Sequence, residues 1–185
     1  MMKTTGQVLL VLGVMILTVW LFAYFLFIRP TTPVTNVKRY GSIVSDVKRA
    51  FPSASYFPDR IPQSATATTF YYLPKYLQGS LVLRLRVSLP PTETADLERR
   101  LQAQHIPLTP GEVREVAQIG IPPSGMQLHR GEWLLSRFEP ISSDFNSFLI
   151  GTDIQTIKTT WNHACISGIS VSTLRNEVVY WFDQG

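Results

Sequence analysis

Apolar and polar positions follow different periods along this chain, and each period predicts a different element. From Val8 to Ile28 the sequence reads VLLVLGVMILTVWLFAYFLFI, with 19 apolar residues in 21 positions and no charge. A helix apolar on every side has no face to offer water, so the run predicts a membrane-spanning helix. At about 1.5 Å per residue it reaches about 31 Å, the thickness of a bilayer core. Fifteen of its residues are Leu, Ile, Phe or Val. At roughly 0.3–0.6 kcal/mol each, they favour insertion by about 5–9 kcal/mol. A cleaved signal peptide would be shorter and would end in small residues. This run ends Phe25-Leu26-Phe27-Ile28-Arg29-Pro30, and no cysteine follows it for lipid attachment. The expectation is an uncleaved signal anchor at residues 8–28 behind a short tail, residues 1–7.

Beyond the anchor the pattern changes. Arg29–Tyr40 (RPTTPVTNVKRY) has two prolines, three threonines and no apolar period, which predicts an extended spacer over residues 29–40. Ile43, Val44, Val47 and Ala50 share one face of a predicted helix over Gly41–Phe51, with Ser42 as its cap. Pro52 ends it. Residues 52–65 hold three prolines and, with Phe51 just before them, the aromatic residues Tyr56 and Phe57, the pattern of an ordered loop.

Two-residue periods come next. Thr66–Leu73 is β-branched and aromatic, a strand. In Leu81–Leu89, the leucines 81, 83, 85 and 89 with Val87 alternate against Val82, Arg84, Arg86 and Ser88. That alternation predicts one buried and one partly wet face. The two runs form an antiparallel hairpin across Pro74–Ser80. After Pro90-Pro91, Thr92 is placed to cap a three-turn helix carrying Leu97 and Leu101 and ending near His105–Pro107. Val113, Val116 and Ile119 suggest a short further element. Trp133–Phe138 and Phe145–Ile150 read as strands, and Ala164–Val171 with Glu177–Phe182 as a closing hairpin around Thr173–Asn176. Glu177–Phe182 is apolar on both faces, as a central strand would be.

These elements predict an α+β fold: one N-terminal transmembrane helix followed by a single domain, residues 41–185, with a mainly antiparallel sheet and two or so flanking helices. No succession of strand-helix-strand units calls for a parallel sheet.

Charge and cysteine content narrow the function. The chain of 185 residues has 17 Lys+Arg against 13 Asp+Glu, net +4. From Arg29 onward, basic pairs such as Lys38-Arg39, Lys48-Arg49 and Arg99-Arg100 are isolated, so no nucleic-acid partner is expected. Cys165 is the only cysteine, which excludes an internal disulfide and a multi-cysteine zinc site. His105, His129 and His163 lack metal-ligand spacing. No phosphate or dinucleotide loop occurs, so no metal and no cofactor are expected.

The candidate chemistry is thin. His163 and Cys165 are two apart, so on a strand they share a face, and a histidine there could activate the thiol. A small buried cysteine explains the position as well. Arg84 and Arg86 share the wetter face of their strand and form a candidate anion site, unless they snorkel over the sheet or pair with the acids of the following helix. Glu93, Asp96 and Glu98 fit a helix N-terminus better than paired acid–base catalysis.

FPDRIPQSATATTFYYLPKYLQGSLVLRL and the closing NEVVYWFDQ resemble stretches of small uncharacterised bacterial membrane-anchored or secreted proteins. The resemblance implies an extracytoplasmic domain on a membrane tether and carries no activity or site residues. Orientation from charge is divided. Arg29, Lys38 and Arg39 outnumber Lys3 and the α-amino group, which favours an inward domain. A short tail held inside by Lys3 favours an outward one.

The expected function is therefore that of a single-pass cell-membrane protein. Residues 8–28 engage the lipid bilayer, and a non-catalytic, extracytoplasmic domain acts through protein or ligand contacts. The alternatives are a membrane-anchored hydrolase using Cys165 and His163, or an accessory subunit of a membrane complex.

Overall fold

The computed structural model describes residues 2–24, 32–75, 81–112, 143–151 and 165–184. Its elements are α1 (Met2–Ala23), α2 (Tyr40–Ala50), β1 (Ala67–Leu73), β2 (Leu81–Ser88), α3 (Pro91–Gln104), β3 (Asn146–Leu149), β4 (Cys165–Ser172) and β5 (Glu177–Gln184). The strands form one antiparallel five-stranded sheet in the order β1-β2-β5-β4-β3. The α+β class, the antiparallel sheet and its flanking helices are as the periodicities predict.

α1 begins at Met2, so residues 2–7, expected as a tail, are helical. Its described side chains run from Leu12 to Ala23, about 18 Å of helix, against a bilayer core of about 30 Å. Among the described residues no helix is long and apolar enough to cross a membrane. The last part of the expected span, residues 25–28, lies outside the described residues.

The stretch expected as a spacer is instead docked from Val34 onward. Val34 exchanges two backbone hydrogen bonds with Tyr72 at the edge of β1, at 2.7 and 2.9 Å. A 3-10 turn, Val37–Arg39, then leads directly into α2. The reason is Tyr40, 1% exposed, which packs edge-on to Phe70 and donates its hydroxyl to the Pro58 carbonyl at 2.6 Å. A polar-looking pre-helical segment is thus pulled in by one aromatic residue. Neither expected helix cap holds. Asn36 caps the 3-10 turn, while Ser42 lies inside α2 and donates to the Arg39 carbonyl. α3 starts at Pro91 with Pro90 in the cap position, so Thr92 is already helical. Proline at a first helical position has no N–H to leave unsatisfied.

The sheet has two faces, and register assigns each side chain to one. Leu81, Leu83, Leu85 and Val87 of β2 stand beside Gln184, Phe182, Tyr180 and Val178 of β5. Phe70 of β1, Ile169 and Val171 of β4 and Phe148 of β3 extend that face. It is covered by Tyr40, Ile43, Val44 and Val47 of α2, by Ala54 and Phe57 of the following loop, and by Leu97 and Leu101 of α3. The second face carries Trp181, Val179, Ile166 and Leu149, all buried, with Leu108 and Phe145 packed against them, and at its β1 side Val82 buried with Tyr71 beside Leu73. β2 is partly wet on this side, as its alternation predicts, with Arg84, Arg86 and Ser88 half-buried; Val82, at 1% exposed, is the exception. β5, apolar on both faces, occupies the middle of the sheet as its pattern demands.

The closing hairpin turns through Thr173–Asn176 as expected. Asn176 takes φ 57°, a left-handed conformation that asparagine tolerates. The readings on Trp133–Phe138 and on Val113, Val116 and Ile119 lie outside the described residues.

Candidate functional site

The polar groups of the sheet collect on its second face, because β2 and β5 place their charged residues there by strand alternation. Thr69, Arg86 and Val179 stand in one row across β1, β2 and β5, while Ser88 stands opposite Glu177. Arg86 forms an ion pair with Glu177 diagonally across the strands. The Arg86 guanidinium also lies 5.8 Å from the Phe145 ring centroid, within cation–π range. One row further along β2, Arg84 stands opposite Trp181 and diagonal to Asp183, which itself stands opposite Val82 and Ile166. Burial pushes the Asp183 carboxyl up to about 6, and the Arg84 charge pulls it down in part.

Beyond β5, hydroxyls of β4 and β3 continue the polar pattern. Trp181 Nε1 donates to Ser170 Oγ at 3.1 Å, and Ser170 shares a hydrogen bond with Ser147 at 2.8 Å. At the far end, Asp144 accepts from Ser172 Oγ at 2.9 Å and from Arg175 Nε at 2.7 Å, tying the approach to β3 to the β4–β5 turn.

The arginines singled out in the sequence are therefore on one face, as expected. Their carboxylate neighbours come from β5 rather than from a helix. Strand registry, not nearness in sequence, brings Arg86 to Glu177 across 91 positions. Glu93, Asp96 and Glu98 do not converge. Glu93 accepts from Ser64, Asp96 pairs with Arg99 at 2.9 Å, and Glu98 accepts from Asn146.

Cys165 opens β4 on the first face, half-buried against the core. Burial raises its thiol pKa, with a Ser53 hydrogen bond and the Lys75 charge opposing. An activated nucleophile needs the opposite shift. His163 and His129 lie outside the described residues. His105 sits at the C-terminal cap of α3. Among the described residues no three His, Cys, Asp or Glu side chains gather as metal ligands.

Tyr56 is the residue that sequence reasoning missed. Its hydroxyl accepts from the Gly168 N–H at 3.2 Å and donates to the Trp181 carbonyl, bridging β4 and β5 from the loop after α2. Burial raises its pKa well above the ordinary tyrosine value, so it remains a neutral donor. Only its position among aromatic residues in an otherwise polar loop hinted that it is buried.

This constellation is a set of cross-strand pairs and hydroxyl links. It satisfies charge on a covered sheet face, and among the described residues it sets no nucleophile beside an activating base. No protein-family model, curated protein or solved structure matches the chain.

Proposed function

We propose that this protein is a single-pass, membrane-tethered domain that acts by contact at the membrane surface rather than by catalysis, with the sheet domain on the extracytoplasmic side. The observation that carries this reading is the state of α1. Val14, Ile16, Leu17, Val19, Trp20 and Phe22 are 57–66% exposed. A charge-free run of helix whose large apolar side chains are left bare on all sides requires an apolar surrounding, and lipid supplies one on every side at once. The described part is short, but the sequence extends the apolar run on both sides, from Val8 to Ile28. A second support is the fate of the polar residues. Arg86, Glu177, Asp144, Ser147 and Ser170 are used in bonds within the sheet layer, which is the behaviour of structural groups.

The test is alkaline extraction of membranes followed by protease treatment of cells with a permeable outer envelope. The full chain should stay in the alkali-washed pellet, and the domain should be digested from outside. Release by alkali would overturn the anchor. Digestion only after the inner membrane is opened would overturn the outward orientation.

A further inference from the structure

We propose that the 3-10 turn Val37–Arg39 is a docking surface for an anionic lipid bilayer, with Lys38 and Arg39 as the contacting cations; this rests on the anchored reading above. The distribution of charge is the starting point. Residues 50–185 hold 11 Lys+Arg against 12 Asp+Glu, so they contribute nothing to the net charge of +4. Residues 32–49 hold Lys38, Arg39, Lys48 and Arg49 against Asp46 alone. The cationic excess of the domain is therefore concentrated in the part that follows the apolar run.

The structure divides these four cations. Lys48 is held by Asp59 at 2.6 Å, and Arg49 leans on Asp46 at 3.5 Å. Lys38 and Arg39 are exposed, and no carboxylate among the described residues forms an ion pair with them. Their backbone is rigidly placed. Asn36 Oδ1 accepts from the Lys38 N–H at 3.0 Å, and the Asn36 carbonyl accepts from the Arg39 N–H at 3.0 Å. On either side the chain is fixed by Val34 on Tyr72 and by buried Tyr40. Two cations presented from a fixed turn lose little backbone freedom on engaging a surface.

Distance selects the partner. From Ile28, the last residue of the apolar run, to Thr32 is four Cα steps, at most about 14 Å. The docked segment thus begins within one to two Debye lengths of the bilayer that would hold α1, and Lys38 follows Thr32 by six residues. A surface to which the domain is already tied has a high effective concentration, which a soluble acidic partner would have to exceed. Anionic headgroups offer phosphate oxygens, which lysine meets as a point charge and arginine as a planar fork.

The purified full chain, reconstituted into bilayers of phosphatidylcholine alone or mixed with phosphatidylglycerol, provides the test. Lys38 acylation by an N-hydroxysuccinimide ester is followed by mass spectrometry. Acylation should be several-fold slower in the anionic bilayer. It should recover near 0.5 M salt, where screening shortens to about 4 Å. Arg39→Gln, a change at an exposed position, should weaken the protection without altering the fold. Equal Lys38 reactivity in both bilayers, with the chain still resistant to alkaline washing, overturns the docking and leaves the anchor standing. A chain that alkali washes out of both bilayers overturns the two together. Protection found in native membranes but absent from purified anionic bilayers overturns the lipid in favour of a protein partner.

Discussion

The indole of Trp181 lies on the α-carbon of Gly168, its cross-strand neighbour, so closely that a methyl group there would stand 2.2 Å from Cζ2 and 2.7 Å from Cε2. Glycine in a strand interior marks such close approaches, and a large aromatic residue on the adjacent strand fills the space it leaves. The pair sits at the junction of β4 and β5, the two most interior strands on that side of the sheet.

Gly168→Ala is expected to destabilise the protein by about 3 kcal/mol, at the upper end of overpacking costs. Trp181→Ala, which empties a side chain that is 8% exposed, should cost about 3–5 kcal/mol. In the double variant part of the alanine clash is relieved, so the two losses should sum to more than the observed total. The Phe148 carbonyl, 2.4 Å from the same methyl position, keeps the relief incomplete. Urea unfolding of the full chain in detergent micelles, followed by tryptophan fluorescence where Trp181 is retained and by circular dichroism throughout, measures the cycle.

Removing the Tyr56 hydroxyl tests the loop-to-sheet bridge. Tyr56→Phe leaves the ring in place but strips a partner from the Gly168 N–H and the Trp181 carbonyl. Buried groups left unsatisfied cost about 1–3 kcal/mol each, and relaxation or water offsets part of this, so a loss of about 2 kcal/mol is expected. Faster amide exchange at Gly168 in the variant, beyond the global change, localises the effect.

The Asp183 carboxyl predicts a pH dependence with a definite sign. Its native pKa is about 6, against about 3.9 in an unfolded chain, so the native state binds the proton more tightly. Its contribution is most favourable below about pH 4, declines as pH rises through the window from 4 to 6, and is constant above it. A shift of about two units corresponds to about 3 kcal/mol. Asp59 is shifted the other way by Lys48, so the total curve mixes opposite slopes. The difference between wild type and Asp183→Asn isolates the one carboxyl. Relative to the variant, wild type should lose about 2 kcal/mol between pH 4 and 7.5 in paired urea titrations.

Alkylation separates the contact reading from a thiol hydrolase. With burial raising its pKa, Cys165 should react with iodoacetamide at pH 7.5 more slowly than a free cysteine. A rate above that of free cysteine would restore the nucleophile.

A fragment beginning at Thr31 should be soluble and melt cooperatively without detergent. It retains Val34, which is bonded to the sheet at Tyr72, and omits the bare apolar helix. A fragment beginning at Gly41 should melt lower, because it lacks the Val34–Tyr72 pairing and the buried Tyr40. Equal melting of the two would show that residues 34–40 contribute no stability.

Much of the fold is legible in local pattern because secondary-structure periods are local properties. The alternation of Leu81–Leu89, the two apolar faces of Glu177–Phe182 and the helical spacing of Ile43, Val44 and Val47 each named an element that the structure contains. The double-sided strand even foretold its central place, since a strand apolar on both faces needs cover on both. What the pattern could not carry was anything set by pairing at long range. The meeting of Arg86 with Glu177, the reach of Tyr56 to β4 and β5, and the seat of Trp181 on Gly168 depend on register between strands far apart in the chain. Register follows from the whole sheet closing at once, so no window of sequence contains it. The docked segment before α2 failed as a sequence reading for the same reason. Its threonines and prolines resemble a linker, and only the pocket formed by Phe70 and Pro58 turns Tyr40 into an anchor.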